Sequence, residues 1–240
     1  MGQWNTLHLF DDKKFEERVI PILKGAENKL AEYLDSEIAQ ELLDFEYDKR
    51  SREERIDEII KVSNKRTADF KLLPEFIEKT KLISDYDQKW ALVPDGMEDL
   101  NDIFPLVVFA ECGLVSPYFQ LGYRSTYHYM TFYAEDTLAE KYIDQIRTGI
   151  YGGLLGLHGF GIYNWLSNED VKSLIACYDE IITNDYTAEL LTFLTIADEN
   201  GLGIVAAVDI DTRELNKIEH PPIGSNIDWA SYGLKFLIFE

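Results

Sequence analysis

Side chains that could act as nucleophiles, bases or metal ligands are thinly spread over this chain of 240 residues. Cys112 and His128 would supply a thiol and an imidazole, the pair from which many enzymes generate a thiolate nucleophile. Both lie in apolar surroundings, however, where a cysteine usually behaves as a small hydrophobic residue. The four histidines show no His-x-x-x-His or Glu-x-x-His spacing, so the sequence predicts no metal site.

Two aspartates follow an apolar run in the segment Val208-Asp-Ile-Asp-Thr212. They resemble the paired aspartates of haloacid-dehalogenase-type phosphatases, which hold magnesium and form an aspartyl phosphate. That family has one more residue between the second aspartate and the threonine, and a calcium loop would need a glycine and a distal glutamate. We therefore expect Asp209 and Asp211 to cap a turn.

A glycine-rich segment, Gly149–Gly161, invites comparison with phosphate-binding loops. It contains no Gly-Lys-Ser or Gly-Lys-Thr, and it lacks the full spacing of a dinucleotide fingerprint. The segment is typical of a tight apolar connection in which backbones approach closely. A pocket formed by this segment and the aromatic residues before it remains the alternative. The sequence predicts no cofactor.

The strongest compositional signal is negative charge. The net charge is −21, and residues 91–240 carry 7 Lys or Arg against 23 Asp or Glu. An acidic surface repels nucleic-acid phosphate and anionic lipid, whereas it attracts a cationic partner over long distances. The prediction is a basic protein partner, with neither nucleic acid nor membrane as a ligand. Solubility is the alternative meaning of the charge.

The carboxylates that we expect to bind this partner form two groups along the sequence. Some of them also stand where helix capping would place an acidic residue, which is the alternative role for Glu169, Asp170 and Asp185. The first group is Asp95, Glu98, Asp99 and Asp102, and the second is Glu169, Asp170, Asp179, Glu180, Asp185 and Glu189.

These groups flank the most apolar part of the chain, Ile103–Tyr133, in which nine residues are aromatic and only Glu111 and Arg124 carry formal charge. We expect this stretch to form the centre of the core. It divides into a buried helix at 106–112, a short helical piece at 117–122 and an alternating strand at 125–133.

The remaining patterns are mostly helical. Ser51-Arg-Glu-Glu54 and Ser167-Asn-Glu-Asp170 predict helix starts, Gly25 a helix end and Pro74 a further helix start. Strands are predicted at 3–10, 204–210 and 232–239, with the two terminal strands pairing with 204–210. The expected fold is helix-rich α+β in a single domain, 1–240, with a loop and soft boundary at 84–102.

Cysteine usage and hydropathy bear on the cellular environment. Cys112 and Cys177 are too few for a disulfide framework, so we expect buried, reduced thiols. No basic region followed by an apolar region marks a signal peptide at the start of the sequence. The uncharged stretch 148–168 contains six glycines and is only intermittently apolar, which argues against a spanning helix. The prediction is a cytoplasmic protein.

The first residues carry a resemblance. Met1-Gly-Gln-Trp-Asn5 and Phe10-Asp-Asp-Lys-Lys-Phe15 resemble the N-terminal segments of toxin-immunity proteins from bacterial competition systems. The resemblance covers about the first 25 residues and assigns no site residue. Together with the charge, it implies a non-catalytic inhibitor of a cationic, nuclease-like toxin. The alternative is a small-molecule-binding protein or enzyme that uses 149–161 and the aromatic stretch.

Overall fold

The computed structural model describes residues 4–42, 50–66, 70, 95–123, 136–147, 161–181, 185–219 and 222–239. Two predicted elements lie outside these ranges, namely the helix opening at Pro74 and the strand at 125–133. Most of the glycine-rich segment, from 149 to 160, also lies outside them.

The described strands form one antiparallel sheet in the order β3-β4-β1-β2-β5. In β1, every side chain described from Asn5 to Phe10 is buried, and β4 is buried along its whole length. The strands are β1 (Trp4–Phe10), β2 (Tyr118–Tyr123), β3 (Gly161–Leu166), β4 (Gly203–Val208) and β5 (Leu237–Ile238).

The helices precede and follow these strands. The first runs through a π-helical turn at Phe15–Val19, and 3-10 turns occupy Ala26–Asn28 and Tyr178–Glu180. The α-helices are α1 (Asp12–Lys14), α2 (Ile20–Leu23), α3 (Lys29–Leu34), α4 (Glu37–Leu42), α5 (Arg52–Ser63), α6 (Met97–Glu111), α7 (Glu140–Arg147), α8 (Asn168–Ala176), α9 (Asp185–Glu199), α10 (Thr212–Leu215) and α11 (Trp229–Tyr232).

The sheet separates two hydrophobic cores, because successive side chains of a strand point to opposite faces. On one face, Phe10 and Val205 pack with α2, α3, α5 and α6, which we call the α6 layer. On the other, Leu7, Leu9 and Ile204 pack with α7, α8 and α9, which we call the α9 layer. The predicted helix-rich α+β fold is confirmed, with its aromatic core divided by the sheet.

Several helix starts are stabilised by hydrogen bonds with capping side chains. Asp11 accepts a bond from the backbone N–H of Lys14 at 3.1 Å, and capping boxes open α5 at Ser51 and α8 at Ser167. Each side chain satisfies a backbone donor that has no partner within its own helix. Gly25, with φ 93°, follows α2 in the left-handed conformation that ends helices.

Three local predictions were wrong. Residues 118–122 belong to β2 rather than to a helix, because Thr6 and Leu7 of β1 pair with Gln120 and Phe119. Residues 97–102 form the first turns of α6 rather than a loop. Of the predicted strand at 232–239 only Leu237–Ile238 is a strand, and it pairs with β2 instead of β4. Strand pairing across the sheet decides whether a short apolar segment such as 118–122 becomes a strand or a helix.

Candidate functional site: two acidic surfaces and a polar cavity

The predicted acidic groups lie in different layers of the protein. The first group belongs to α6, which packs on one face of the sheet, and the second belongs to α8, α9 and the turn between them, which pack on the other. The sheet separates the helices that carry the two groups. A partner that covers one layer therefore engages one group and not the other.

In the first group, Asp95, Glu98 and Asp102 are exposed, and we call them the α6 acidic surface. Asp99 points inward and is only 9% exposed. Its carboxylate accepts hydrogen bonds from Arg50 at 2.9 Å and from Arg55 at 3.2 Å. Asp99 is therefore engaged in joining α5 to α6 and does not belong to the exposed surface.

Arg50 also pairs with Glu58, so two arginines and two carboxylates meet where α5 packs on α6. The backbones approach closely there. A Cβ added to Gly96, just before α6, would lie 2.6 Å from the backbone carbon of Glu58. The α6 acidic surface thus borders a network in which positive and negative charges are mixed.

The pKa of the Asp102 carboxyl group is raised above its ordinary value. Although the residue as a whole is exposed, protein atoms around its carboxyl group reduce the hydration of that group and raise its pKa to about 6. The hydrogen bond of Asn101 opposes this effect, and the negative charges of Asp99 and Glu98 add to it. A carboxyl group with a raised pKa destabilises the fold once it is ionised, because ionisation is easier in the unfolded chain.

We expect the substitution Asp102→Asn to raise the melting temperature at pH 7.5. The increase in melting temperature should be smaller at pH 5, where Asp102 is mostly protonated in the native protein. Thermal unfolding at both pH values measures this effect, and Asp95→Asn on the same surface is the matched control. An equal gain at both pH values would show that the ionisation of Asp102 is not responsible.

The second group contains the larger exposed set. Glu169, Asp179 and Asp185 are exposed, and we call them the α8–α9 acidic surface. The ion pair of Glu169 with Lys172, at 2.8 Å, raises the pKa of that lysine. Within the described residues, no basic side chain lies within ion-pair distance of Asp179 or Asp185.

Two other predicted carboxylates have structural roles. Asp170 completes the capping box at the start of α8. Glu189 accepts backbone N–H bonds from Lys235 at 2.7 Å and Phe236 at 3.1 Å, which ties the segment before β5 to α9. The side chain of Glu180 lies outside the described part of the structure.

The structure describes only part of the candidate catalytic set. Cys112 and Cys177 are buried thiols that form no disulfide, as predicted, and burial raises the pKa of the Cys112 thiol well above its usual range. His128 lies outside the described ranges. Asp211 caps α10 by accepting the backbone N–H groups of Arg213 and Glu214, which confirms that the aspartate caps a turn.

The sequence reasoning missed a polar cavity of about 350 Å³ beside the sheet. Thr6 of β1 and Tyr118 of β2 contribute to its wall, together with the turn after β4. Side chains alternate between the two faces along β1, so Thr6 and His8 lie on the same face of the sheet. These two polar residues, spaced for one face of a strand, are the sequence pattern that could have indicated the cavity. The lining residues are Thr6, Tyr118, Asp209, Ile210, Asp211, Thr212 and Arg213.

Behind this wall, His8 is completely buried and fully hydrogen-bonded. Its Nδ1 lies 2.9 Å from the carbonyl oxygen of Val115 and 3.3 Å from that of Leu114, and its Nε2 lies 2.9 Å from Thr6 Oγ1. Burial lowers the pKa of His8 to about 4, against the opposing effect of the two carbonyl groups.

No family model, curated protein or solved structure matches this chain. Across the described ranges, the helices are too short or too polar to cross a bilayer. Nor do the described residues bring together three His, Cys, Asp or Glu side chains as metal ligands.

Proposed function

We propose that this chain is a non-catalytic binding protein that recognises a cationic protein through its α8–α9 acidic surface. An immunity protein that neutralises a basic, nuclease-like toxin is the class that such a surface suits best. The observation that carries the proposal is the exposure of Glu169, Asp179 and Asp185 on one layer of the fold. Blocking a basic site requires complementary charge and shape, and it needs no reactive side chain.

The sequence around this surface strengthens the proposal. Between residues 148 and 212 there are ten Asp or Glu and a single basic residue, Lys172. Helix capping explains Asp170, and attachment of the C-terminal segment explains Glu189. Asp179 follows α8 in a 3-10 turn, where a cap for the next helix is not required. Glu169 and Asp185 stand in the first turns of α8 and α9, where the helix dipole favours an acidic residue. Asp179 is the carboxylate of this surface that helix formation does not explain.

The α6 acidic surface supports the proposal less well. Arg50 and Arg55 lie beside α6 and supply positive charge next to its carboxylates. Mixed charges weaken the field that an approaching cationic protein experiences. We therefore assign the partner to the α8–α9 acidic surface and expect the α6 surface to contribute little.

A capture experiment tests the proposal directly. The immobilised protein is incubated with lysate of the source organism at about 50 mM and about 300 mM salt, a range over which exposed charges become screened. We expect a basic protein to be retained at low salt and to be released, or bound more weakly, at high salt. Retention of no basic protein at either salt would contradict the proposal.

Charge reversal locates the surface. We expect the triple variant Glu169→Lys, Asp179→Lys, Asp185→Lys to associate with the captured partner at least about tenfold more slowly at low salt, because charge steering chiefly sets the association rate. Stopped-flow or surface-based kinetics measures the rate. Circular dichroism confirms that the variant is folded.

The opposite layer provides a control with the same change in net charge, the triple variant Asp95→Lys, Glu98→Lys, Asp102→Lys. We expect its association rate to stay within about threefold of the wild type, since its charges lie on the other side of the sheet. Equal slowing by both triples would mean that only net charge matters. No slowing by the α8–α9 triple would show that this surface is not the binding site.

A further inference from the structure

The polar cavity beside β1 has a buried base, formed by the two strands, and an opening formed by the turn after β4. Thr6 is 7% exposed and Tyr118 is 9% exposed. The cavity volume of about 350 Å³ lies within the range of roughly 300–1,000 Å³ that is usual for small-molecule sites.

The hydrogen bonds of His8 determine what Thr6 can offer to this cavity. Nδ1 faces the carbonyl oxygens of Val115 and Leu114, which can only accept hydrogen bonds, so Nδ1 carries the ring proton. The buried ring is neutral at pH 7 because burial lowers its pKa to about 4. Nε2 therefore presents a lone pair.

The Thr6 hydroxyl must donate its one proton to that lone pair, 2.9 Å away. A second possible acceptor, the carbonyl oxygen of Ala207, is more distant at 3.5 Å. With its proton given to His8, Oγ1 has only lone pairs left for any other partner. Towards a ligand, Thr6 acts as a hydrogen-bond acceptor.

The rest of the wall is negative on balance, with two carboxylates against the guanidinium group of Arg213. Asp209 and Asp211 contribute two carboxylates, and Tyr118 contributes an aromatic ring whose face attracts cations. The Arg213 side chain is 83% exposed and its Nε lies 3.8 Å from Asp211, so its charge stands at the solvent-facing edge. The Asp211 side chain is itself 42% exposed, so the carboxylates stand towards the opening and the Thr6 acceptor lies at the buried base.

We propose that this cavity binds a small alkylammonium compound, whose N–H donors meet the Thr6 hydroxyl and the carboxylates of Asp209 and Asp211. The site is independent of the partner surface proposed above, because α8 and α9 pack on the other face of the sheet. A neutral alcohol lacks the charge, and a dicarboxylate has the wrong sign. The ligand class follows from the two carboxylates and from the Thr6 oxygen, which has only lone pairs to offer.

Three four-carbon probes with the same chain length test this assignment: butane-1,4-diamine, butane-1,4-diol and succinate. Calorimetric titration at low ionic strength should show saturable 1:1 binding of the diamine and no saturable binding of the diol or succinate. Binding of the diol with an affinity equal to that of the diamine would overturn the proposal. So would the absence of diamine binding to the wild-type protein.

Because the protein carries a net charge of −21, a diamine also gathers around it non-specifically. Asp209→Asn separates the two effects, since it removes one carboxylate from the cavity. Asp209 has a φ of 46°, and asparagine tolerates this left-handed conformation, so the turn should be preserved. We expect diamine affinity to fall about tenfold, as for the loss of a charge-assisted hydrogen bond.

The matched control is Asp179→Asn, which removes the same charge from the opposite layer and should leave diamine affinity unchanged. Thr6→Val provides a second, uncharged test, because it removes the acceptor while keeping the branched shape. It should also weaken binding, by severalfold. Equal diamine affinity in Asp209→Asn, Thr6→Val and the wild type would show that the cavity is not the site.

Discussion

Replacing Asp99 by alanine is expected to lower the free energy of unfolding by about 3–5 kcal/mol. The carboxylate is buried, and it binds both Arg50 and Arg55 where α5 meets α6. Arg55 is only 8% exposed. Without the carboxylate, its guanidinium group loses an anionic partner inside the protein. Breaking a buried ion pair from one side costs more than the pair itself contributes, because the remaining charge stays desolvated.

Urea unfolding followed by circular dichroism measures this loss. Asp57→Ala is the matched control, because Asp57 is exposed on the same helix as Arg55 and should change stability by no more than about 0.5 kcal/mol. If Asp99→Ala unfolds at the same urea concentration as the wild type, the Asp99 carboxylate does not join α5 to α6.

The stability of the protein is expected to fall by about 2 kcal/mol between pH 7.5 and pH 5 because of His8 alone, and by about 3 kcal/mol over the full titration. Its pKa is lowered from 6.5 to about 4 by burial. Between these values the unfolded chain takes up a proton that the native protein does not. The contribution of neutral His8 to the free energy of unfolding is therefore fully present above about pH 6.5 and is lost as the pH falls towards 4.

Urea unfolding at pH 7.5, 6.5, 5.5 and 5 tests this prediction, with His8→Gln as the comparison. Carboxyl groups titrate in both proteins, so the difference between the two pH profiles isolates the imidazole. NMR of the ring nitrogens in the wild-type protein adds a test that needs no variant. We expect a neutral His8 with the proton on Nδ1 at pH 6, whereas a midpoint near pH 6.5 would contradict the buried arrangement.

The NMR result also bears on the cavity. The proton on Nδ1 is what makes Nε2 an acceptor and leaves Thr6 Oγ1 with lone pairs only. If the proton were instead on Nε2, the Thr6 hydroxyl would be free to donate, and the preference for an alkylammonium ligand would weaken. The tautomer of one buried histidine thus links the pH dependence of stability to the choice of ligand.

The placement of the acidic residues has a practical consequence for mutagenesis. Asp99, Asp170 and Glu189 belong to the predicted binding set, but they hold the fold together through Arg55, the α8 cap and the segment before β5. Reversing their charge would confuse loss of structure with loss of binding. The exposed carboxylates of α8 and α9 avoid this ambiguity.

The sequence by itself determined the elements whose causes are local. The capping boxes at Ser51 and Ser167 link residues only three positions apart. The alternating side chains of β1 and the helical spacing of apolar residues in α8 are likewise patterns within single elements. These patterns, with the mixture of helical and alternating segments, were enough for the helix-rich α+β class. The excess of carboxylates after residue 90 was likewise visible without any structure.

Tertiary structure alone decided how distant parts of the chain meet. Pairing with β1 made a strand of residues 118–122, and packing of α6 on α5 turned Asp99 inward. The sheet placed the helices of the two acidic groups in opposite layers, and it joined Thr6 to the turn at Asp209, about 200 residues away. The physical reason is that strand pairing, burial and cavity formation depend on contacts between segments far apart in sequence, which no local pattern encodes.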